Sequence, residues 1–169
     1  MDFFRNFPFF SIMIAMFSGI ISSVLGKKAA RILALCALGA VALLSLGSLV
    51  YVYSLEEHFF VFQMGHFPAP WGNEIRAGIL EAGTALFFTL IMAGAVIAGR
   101  RWSDREIVED KQNLYYILVD MMMASLLALV YTNDLFTAYV FVEINTISAC
   151  GLIMIRQIGR TFEAAMRYM

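Results

Sequence analysis

Charge is scarce in this chain. Only 15% of its 169 residues are Asp, Glu, Lys or Arg, where a soluble domain carries about 25%. The net charge is −1, so there is no basic excess of the kind nucleic acid attracts. Cysteine is nearly absent. Cys36 and Cys150 both lie inside apolar segments, lack metal-ligand spacing, and read as small packing residues. There is no cysteine cluster for an iron–sulfur centre and no histidine pair across helices for haem. Neither a phosphate loop nor a Gly-x-Gly-x-x-Gly after a strand is present. These residues show no means of redox chemistry or nucleotide hydrolysis, and no cofactor or metal is expected.

What the chain has instead is hydrophobicity. Apolar residues make up 61% of it, and the mean hydropathy is +0.77. Eleven methionines and fifteen phenylalanines suit lipid-facing and interhelical surfaces. The run Met121-Met122-Met123 spreads around a helix, whereas a soft-metal site needs convergent ligands. Five segments reach the roughly 20 apolar residues that a bilayer span requires. They cover about 7–25, 29–53, 77–98, 114–131 and 135–155. The expected fold is an all-α membrane protein with five transmembrane helices, forming a single membrane domain over residues 1–169. The first segment is expected to be a span rather than a signal peptide. Asp2 offsets Arg5 in its leader, its apolar stretch is long, and no small-x-small cleavage site stands out.

The connections set the expected orientation. Lys27, Lys28 and Arg31 lie between the first two spans, and Arg100, Arg101, Arg105 and Lys111 between the third and fourth. Arg156, Arg160 and Arg167 follow the fifth. Ten of the twelve basic residues thus fall on one side, which leaves Arg5 and Arg76 for the other. The positive-inside rule then places the N-terminus outside and the C-terminus in the cytoplasm of a multi-pass cell-membrane protein. The longest outer loop is Ser54–Arg76. Its Phe59–Gln63 stretch is β-prone, and the Gly and Pro residues beyond it suggest a small hairpin on the membrane surface. Tyr53 and Trp71 are expected at the interface. His58 and His66 read as solvated or loop-packing residues.

Small residues mark close helix packing. Gly19 with Ser23, and Ser22 with Gly26, sit at i and i+4 on the first span. The second span is rich in Ala, Gly and Ser, including Gly39, Gly47 and Ser48, and is expected to pack on more than one side.

One carboxyl group stands where hydrocarbon should be. Glu143 lies in the fifth span, about 12–13 Å from its outer end at a rise of about 1.5 Å per residue. That is near the middle of a layer about 30 Å thick. A charge there costs on the order of a few kcal/mol even on mild scales, and such residues usually face a protein interior or a water path. Tyr139, Glu143, Thr146 and Cys150 follow at helical spacing and form one polar stripe. Two readings stand side by side: a residue that conducts ions, or a neutral, hydrogen-bonded structural carboxyl. No lysine occurs inside any span, so the partner of Glu143 is a backbone or hydroxyl group, water, or a residue of another chain. Asp120 lies about 9 Å inside the fourth span, where it either snorkels or meets a neighbouring helix. Glu81 sits near the outer end of the third span, in a structural or an ion-path role. Asp134 is placed to cap the fifth helix at its N-terminus.

The stretch Tyr131-Thr-Asn-Asp-Leu-Phe-Thr-Ala-Tyr-Val-Phe-Val-Glu143-Ile resembles the fifth helix of antiporter-like subunits. That family includes the D subunit of Mrp-type Na⁺/H⁺ antiporters, its counterparts in membrane-bound hydrogenases, and the pumping subunits of respiratory complex I. The loop from Met64 through Pro-Ala-Pro-Trp-Gly to Arg76 is similar to the family's loop before its third helix. The closing Arg160-Thr-Phe-Glu-Ala-Ala-Met-Arg-Tyr168 is similar to the run-in to its sixth. The loop favours the Mrp and hydrogenase branch. The resemblance implies that Glu143 is the acidic residue which pairs with a lysine on the seventh helix and gates proton movement. It aligns Glu81 more loosely with an acidic position at the start of the third helix.

Family members have about fourteen helices, so the resemblance covers the N-terminal portion alone. It implies either a split subunit, with another membrane chain supplying the remaining helices, or a reduced subunit that scaffolds its complex. The split is favoured, because the Glu143 stripe would otherwise face lipid. The expected function is therefore a non-redox subunit of a multi-subunit ion-translocating complex. Glu143, Asp120, Glu81, Tyr139 and Thr146 would form part of a proton or sodium path. The alternatives are a purely structural subunit and a free-standing small transporter or receptor. The lack of an intramembrane Lys or Arg argues against the last.

Overall fold

The computed structural model describes residues 3–63 and 72–168. His66, Trp71 and the Pro-Ala-Pro-Trp stretch lie outside the described residues. A 3₁₀ turn at Phe4–Asn6 leads into α1 (Phe7–Ser22), where Pro8 occupies the first turn, the one place a helix tolerates a missing N–H. Gly26 precedes α2 (Lys27–Tyr53) in extended conformation. Two short strands follow, β1 (Phe59–Gln63) and β2 (Glu74–Gly78). Then come α3 (Ile79–Ala98), the short α4 (Arg100–Glu106), α5 (Gln112–Tyr131), α6 (Leu135–Met154) and α7 (Gly159–Tyr168).

The five long helices are each apolar and long enough to cross a membrane. They match the five expected spans with shifted ends. The first stops at Ser22 rather than residue 25, and the third begins at Ile79, because Ala77 and Gly78 belong to β2. The β-prone stretch is a strand. It pairs antiparallel with β2, with Phe59 opposite Gly78 and Gln63 opposite Glu74. The ribbon marks one end of the bundle, here the ribbon end. The basic connections mark the other, here the basic end.

The core is built around α5. Half of its span is buried, against 17% for α6, so α5 is the central helix and α6 a peripheral one. α5 supplies the large enclosed side chains Tyr116, Met123, Leu127 and Tyr131. α1 meets it with small residues. Ser11, Ala15, Ser18, Gly19 and Ser22 form its buried face, and a Cβ on Gly19 would lie 3.4 Å from Asp120 Cβ and from Met121. This is the close approach that small-residue faces permit. The expected pairing of Gly19 with Ser23, and of Ser22 with Gly26, is corrected in register. Ser23 is exposed, and nothing lies within 4 Å of Gly26, which serves as the start of α2. α2 buries Ala30, Ala34, Ala37, Leu38, Val41, Ser45, Ser48 and Val52 against its neighbours. Its opposite face, with Cys36, Gly39 and Leu43, is exposed, so Cys36 and Gly39 are not internal packing residues. Cys150 is buried, as a packing residue should be.

Charges tie the basic end together. Lys27 Nζ lies 3.3 Å from Asp104 of α4, and Arg31 reaches the same carboxylate at 3.9 Å. Arg156 pairs with Glu106 and lies over the Trp102 ring, 5.9 Å from its centroid. α4 thus ties the start of the second span to the chain just past the last one. Neither α4 nor these pairings were legible in the basic-residue count.

Candidate functional site

Three carboxyl groups inside or at the ends of the spans differ sharply in their surroundings. Asp120 is the deeply buried one. It sits about 12 Å along α5 from Gln112, counted at about 1.5 Å per residue. Only 1% of it is exposed, and it accepts a hydrogen bond of 2.6 Å from the Ser18 hydroxyl on α1. Of the two expected placements, meeting a neighbouring helix is the observed one. Ser22 follows one turn further along α1, and its hydroxyl is buried without a partner.

Glu81 closes the start of α3. Its Oε2 accepts the Gly78 N–H at 3.0 Å, and a Cβ at Gly78 would lie only 2.6 Å from that oxygen. A side chain at Gly78 would push that carboxylate oxygen aside. The carboxylate satisfies a backbone donor that has no partner within the helix.

Glu143 lies on the open side of α6 and is exposed. The Tyr139 hydroxyl, one turn earlier, donates to Glu143 Oε1 at 2.8 Å. Of the expected kinds of partner, the hydroxyl is the one found within the described residues. No Lys, Arg or His pairs with it among them. The polar stripe divides. Tyr139 is 62% exposed and Glu143 is exposed, Thr146 is half-buried and turns back to donate to the Val142 carbonyl at 2.5 Å, and Cys150 is enclosed. Helical spacing alone put all four on one face. The surrounding helices cover that face at Cys150 and leave it open at Glu143.

The entry to α6 is rigidly held. Asp134 accepts from the Thr137 hydroxyl at 2.6 Å and from the Thr137 N–H at 2.9 Å. These bonds lower its carboxyl pKa below the ordinary value, the Thr137 hydroxyl first and the Thr137 N–H next. The expected cap is present. The ribbon joins it: Asn133 N–H donates to the Glu74 carbonyl at 2.9 Å, and the Thr137 hydroxyl contacts Asn73 Oδ1 at 2.9 Å. A cavity of about 200 Å³ lies beneath, lined by residues including Phe9, Met13, Ala128 and Phe141. His58 stacks on Tyr53 at the end of α2, a loop-packing role. Among the described residues, no group of three His, Cys, Asp or Glu comes together as metal ligands do.

The architecture defines a class: a multi-pass, all-α membrane protein carrying acidic groups within its spans. Comparison with known proteins narrows it. The chain is 36% identical over 108 residues to NADH-quinone oxidoreductase subunit N of Desulforudis audaxviator, covering 60% of this chain and 20% of that one. It is 37% identical over 59 residues to an uncharacterised protein of Methanocaldococcus jannaschii, covering 35% and 12%. A chain of the membrane-bound sulfane sulfur reductase, an archaeal respiratory membrane complex, shares the fold with a TM-score of 0.74 at 21% identity. That match covers 99% of this chain and 33% of the other. No family model matches. The likeness to subunit N, together with the shared fold, supports the antiporter-like subunit family for this chain. The chain spans about a fifth of subunit N and a third of the solved chain.

Proposed function

We propose that this chain is a non-redox subunit of a multi-subunit ion-translocating membrane complex and contributes part of a proton or sodium path. One observation carries the reading. Glu143 lies near mid-membrane on the least buried span, with a tyrosine hydroxyl as its hydrogen-bond partner and no basic partner among the described residues. Carboxylates at such depth pair with something or line a water path. The relatives support the complex, since they are a subunit of a quinone oxidoreductase and a chain of a respiratory membrane complex.

In this reading, another membrane chain covers the open face of α6 and presents a lysine to Glu143. Tyr139 holds the carboxylate between proton transfers, and the pair opens and closes as neighbouring charge changes. Asp120 and Glu81 are subsidiary acidic groups on the same path, with Thr146 beside it. The basic end faces the cytoplasm and the ribbon end faces outward, in the cell membrane. The family residues that carry the resemblance favour an Mrp-type module.

A nitroxide at Ile147, an exposed residue one turn beyond Glu143, tests the covered face. In the assembled complex the label is expected to be immobilised and shielded from dissolved oxygen. A mobile, oxygen-accessible label in the intact complex would place this face in lipid and defeat the reading.

A further inference from the structure

Hydroxyl groups within the spans mostly satisfy themselves on their own helix. Ser11 donates to the Pro8 carbonyl at 2.7 Å, Thr89 to Ala85 at 2.7 Å and Ser148 to Ile144 at 2.9 Å. Ser22 of α1 does not. It is wholly enclosed, and its hydroxyl has no hydrogen-bond partner among the described residues. Two hydrogen bonds between α1 and α5 fix where it lies. Ser18, one turn earlier, donates to Asp120 of α5 at 2.6 Å. The Ser23 carbonyl, one residue later, accepts from Asn113 Nδ2 of α5 at 3.3 Å. The later residue of α1 meets the earlier residue of α5, so the two helices run antiparallel along this seam. Ser18, Gly19 and Ser22 share one helical face, and Gly19 lies against Asp120. Ser22 therefore sits in the α1–α5 seam, between the two bonds.

Two acceptors on α5 lack donors in the same seam. Asn113 Oδ1 is buried without a partner. Asp120 takes its hydrogen bond through Oδ2, and its Oδ1 accepts none from the described residues. Asn113 is the second residue of α5, at the basic end, and Asp120 lies about two turns further in on the same face. Buried polar groups are almost always paired, and these oxygens need more donors than the Ser22 hydroxyl can supply. A buried water makes about three hydrogen bonds to such groups. We propose that the basic-end half of the α1–α5 seam binds ordered water between Asn113, Ser22 and the Ser18–Asp120 pair, and that this water lets Asp120 exchange protons with the solution at the basic end. The carboxylate takes up a proton relayed along the water and hydroxyls and returns it by the same route, with no other bond made or lost. Asn113 forms the mouth, Ser22 the middle and Asp120 the end. Beyond Asp120 the buried face of α1 continues with Ala15, whose side chain offers no hydrogen bond. The route uses no residue of α6 and holds whether or not ions pass Glu143.

Hydrogen–deuterium exchange of the Asp120 carboxyl, read by infrared spectroscopy of the protein in nanodiscs, tests this. The pH is lowered until the carboxyl is protonated, and its carbonyl band is the one that Asp120→Asn removes. On transfer to D2O the band is expected to shift as fast as the medium is exchanged. A band that stays unshifted for hours in the unaltered protein overturns the proposal, and this reading needs no blocked variant to fold. Ser22→Val removes the hydroxyl and fills the place of the water, and is expected to slow the shift at least about tenfold. Ser11→Val is the control, at an equally enclosed serine nearer the ribbon end of the same helix, and is expected to leave the rate unchanged. A fast shift that Ser22→Val leaves unchanged, or that both variants slow alike, also overturns the proposal. Ion flux is a separate readout, so failure here is distinct from failure of the Glu143 path.

Discussion

Ser18 of α1 donates its hydroxyl to Asp120 of α5 across 2.6 Å, and both side chains are enclosed. The bond joins two helices far apart in the chain, beside the point where Gly19 lets them approach. Removing the donor strands a carboxyl oxygen. Interhelical hydrogen bonds in membranes contribute about 0.6 kcal/mol on average and about 1.7 at most. Ser18→Ala is therefore expected to destabilise by an amount in that range. Asp120→Asn keeps an acceptor for Ser18 and is expected to cost less. Thermal unfolding of the protein in nanodiscs reads both. A larger loss in Asp120→Asn than in Ser18→Ala would show that the charge, not the hydrogen bond, holds this contact.

Gly19 and Gly39 predict opposite outcomes for the same change. A Cβ on Gly19 meets Asp120 and Met121 at ordinary contact distance, so Gly19→Ala is expected to be tolerated. Gly19→Leu adds atoms that α1 and α5 have no room for, and overpacking of this kind costs about 1–3 kcal/mol. Nothing lies within 4 Å of Gly39, so Gly39→Leu should leave the isolated chain as stable as before. Denaturant midpoints of the two Leu variants, measured side by side, check this. A Gly39→Leu effect that appears only in the assembled complex would locate a partner on that face of α2.

Asp134 makes the start of α6 sensitive to pH. Its folded pKa is lowered, so the ionised cap stabilises the folded state above the unfolded pKa of about 3.9. That contribution is lost as pH falls through the folded value. Amide exchange at Phe136 and Thr137, whose N–H groups Asp134 accepts, is the local probe. At neutral pH, Asp134→Ala should lose protection there while Asp134→Asn keeps most of it. Unaltered protein and Asp134→Asn should converge once the pH falls below the folded pKa, since the neutral carboxyl, like the amide, still offers an acceptor. A difference that persists in strong acid would mean that the carboxylate is not the cap.

The spans were legible because bilayer thickness fixes the length of an apolar run, and five such runs are unmistakable here. Asp134 and Phe59–Gln63 were legible because caps and short strands are written in adjacent residues. Pairings across the fold were not. The α1 sequence showed that some small face was closely packed, but only the crossing with α5 selects Ser18 and Gly19 over Ser23 and Gly26. Asp120 needed its partner on a helix about a hundred residues away. The α6 stripe was correct as a periodicity, but it was divided by neighbours that cover Cys150 and leave Glu143 open.

Glu143 either exchanges protons on an ion path or is structural, and Glu143→Gln in the assembled complex separates the two. The substitution keeps the size of the side chain and an acceptor for the Tyr139 hydroxyl, and removes the exchangeable charge. Ion translocation into sealed membrane vesicles is measured beside the amount of subunit incorporated. Normal incorporation is expected, with translocation reduced on the order of tenfold or more, as for an acidic group on an ion path. Unchanged translocation at normal incorporation would contradict it and leave a structural subunit.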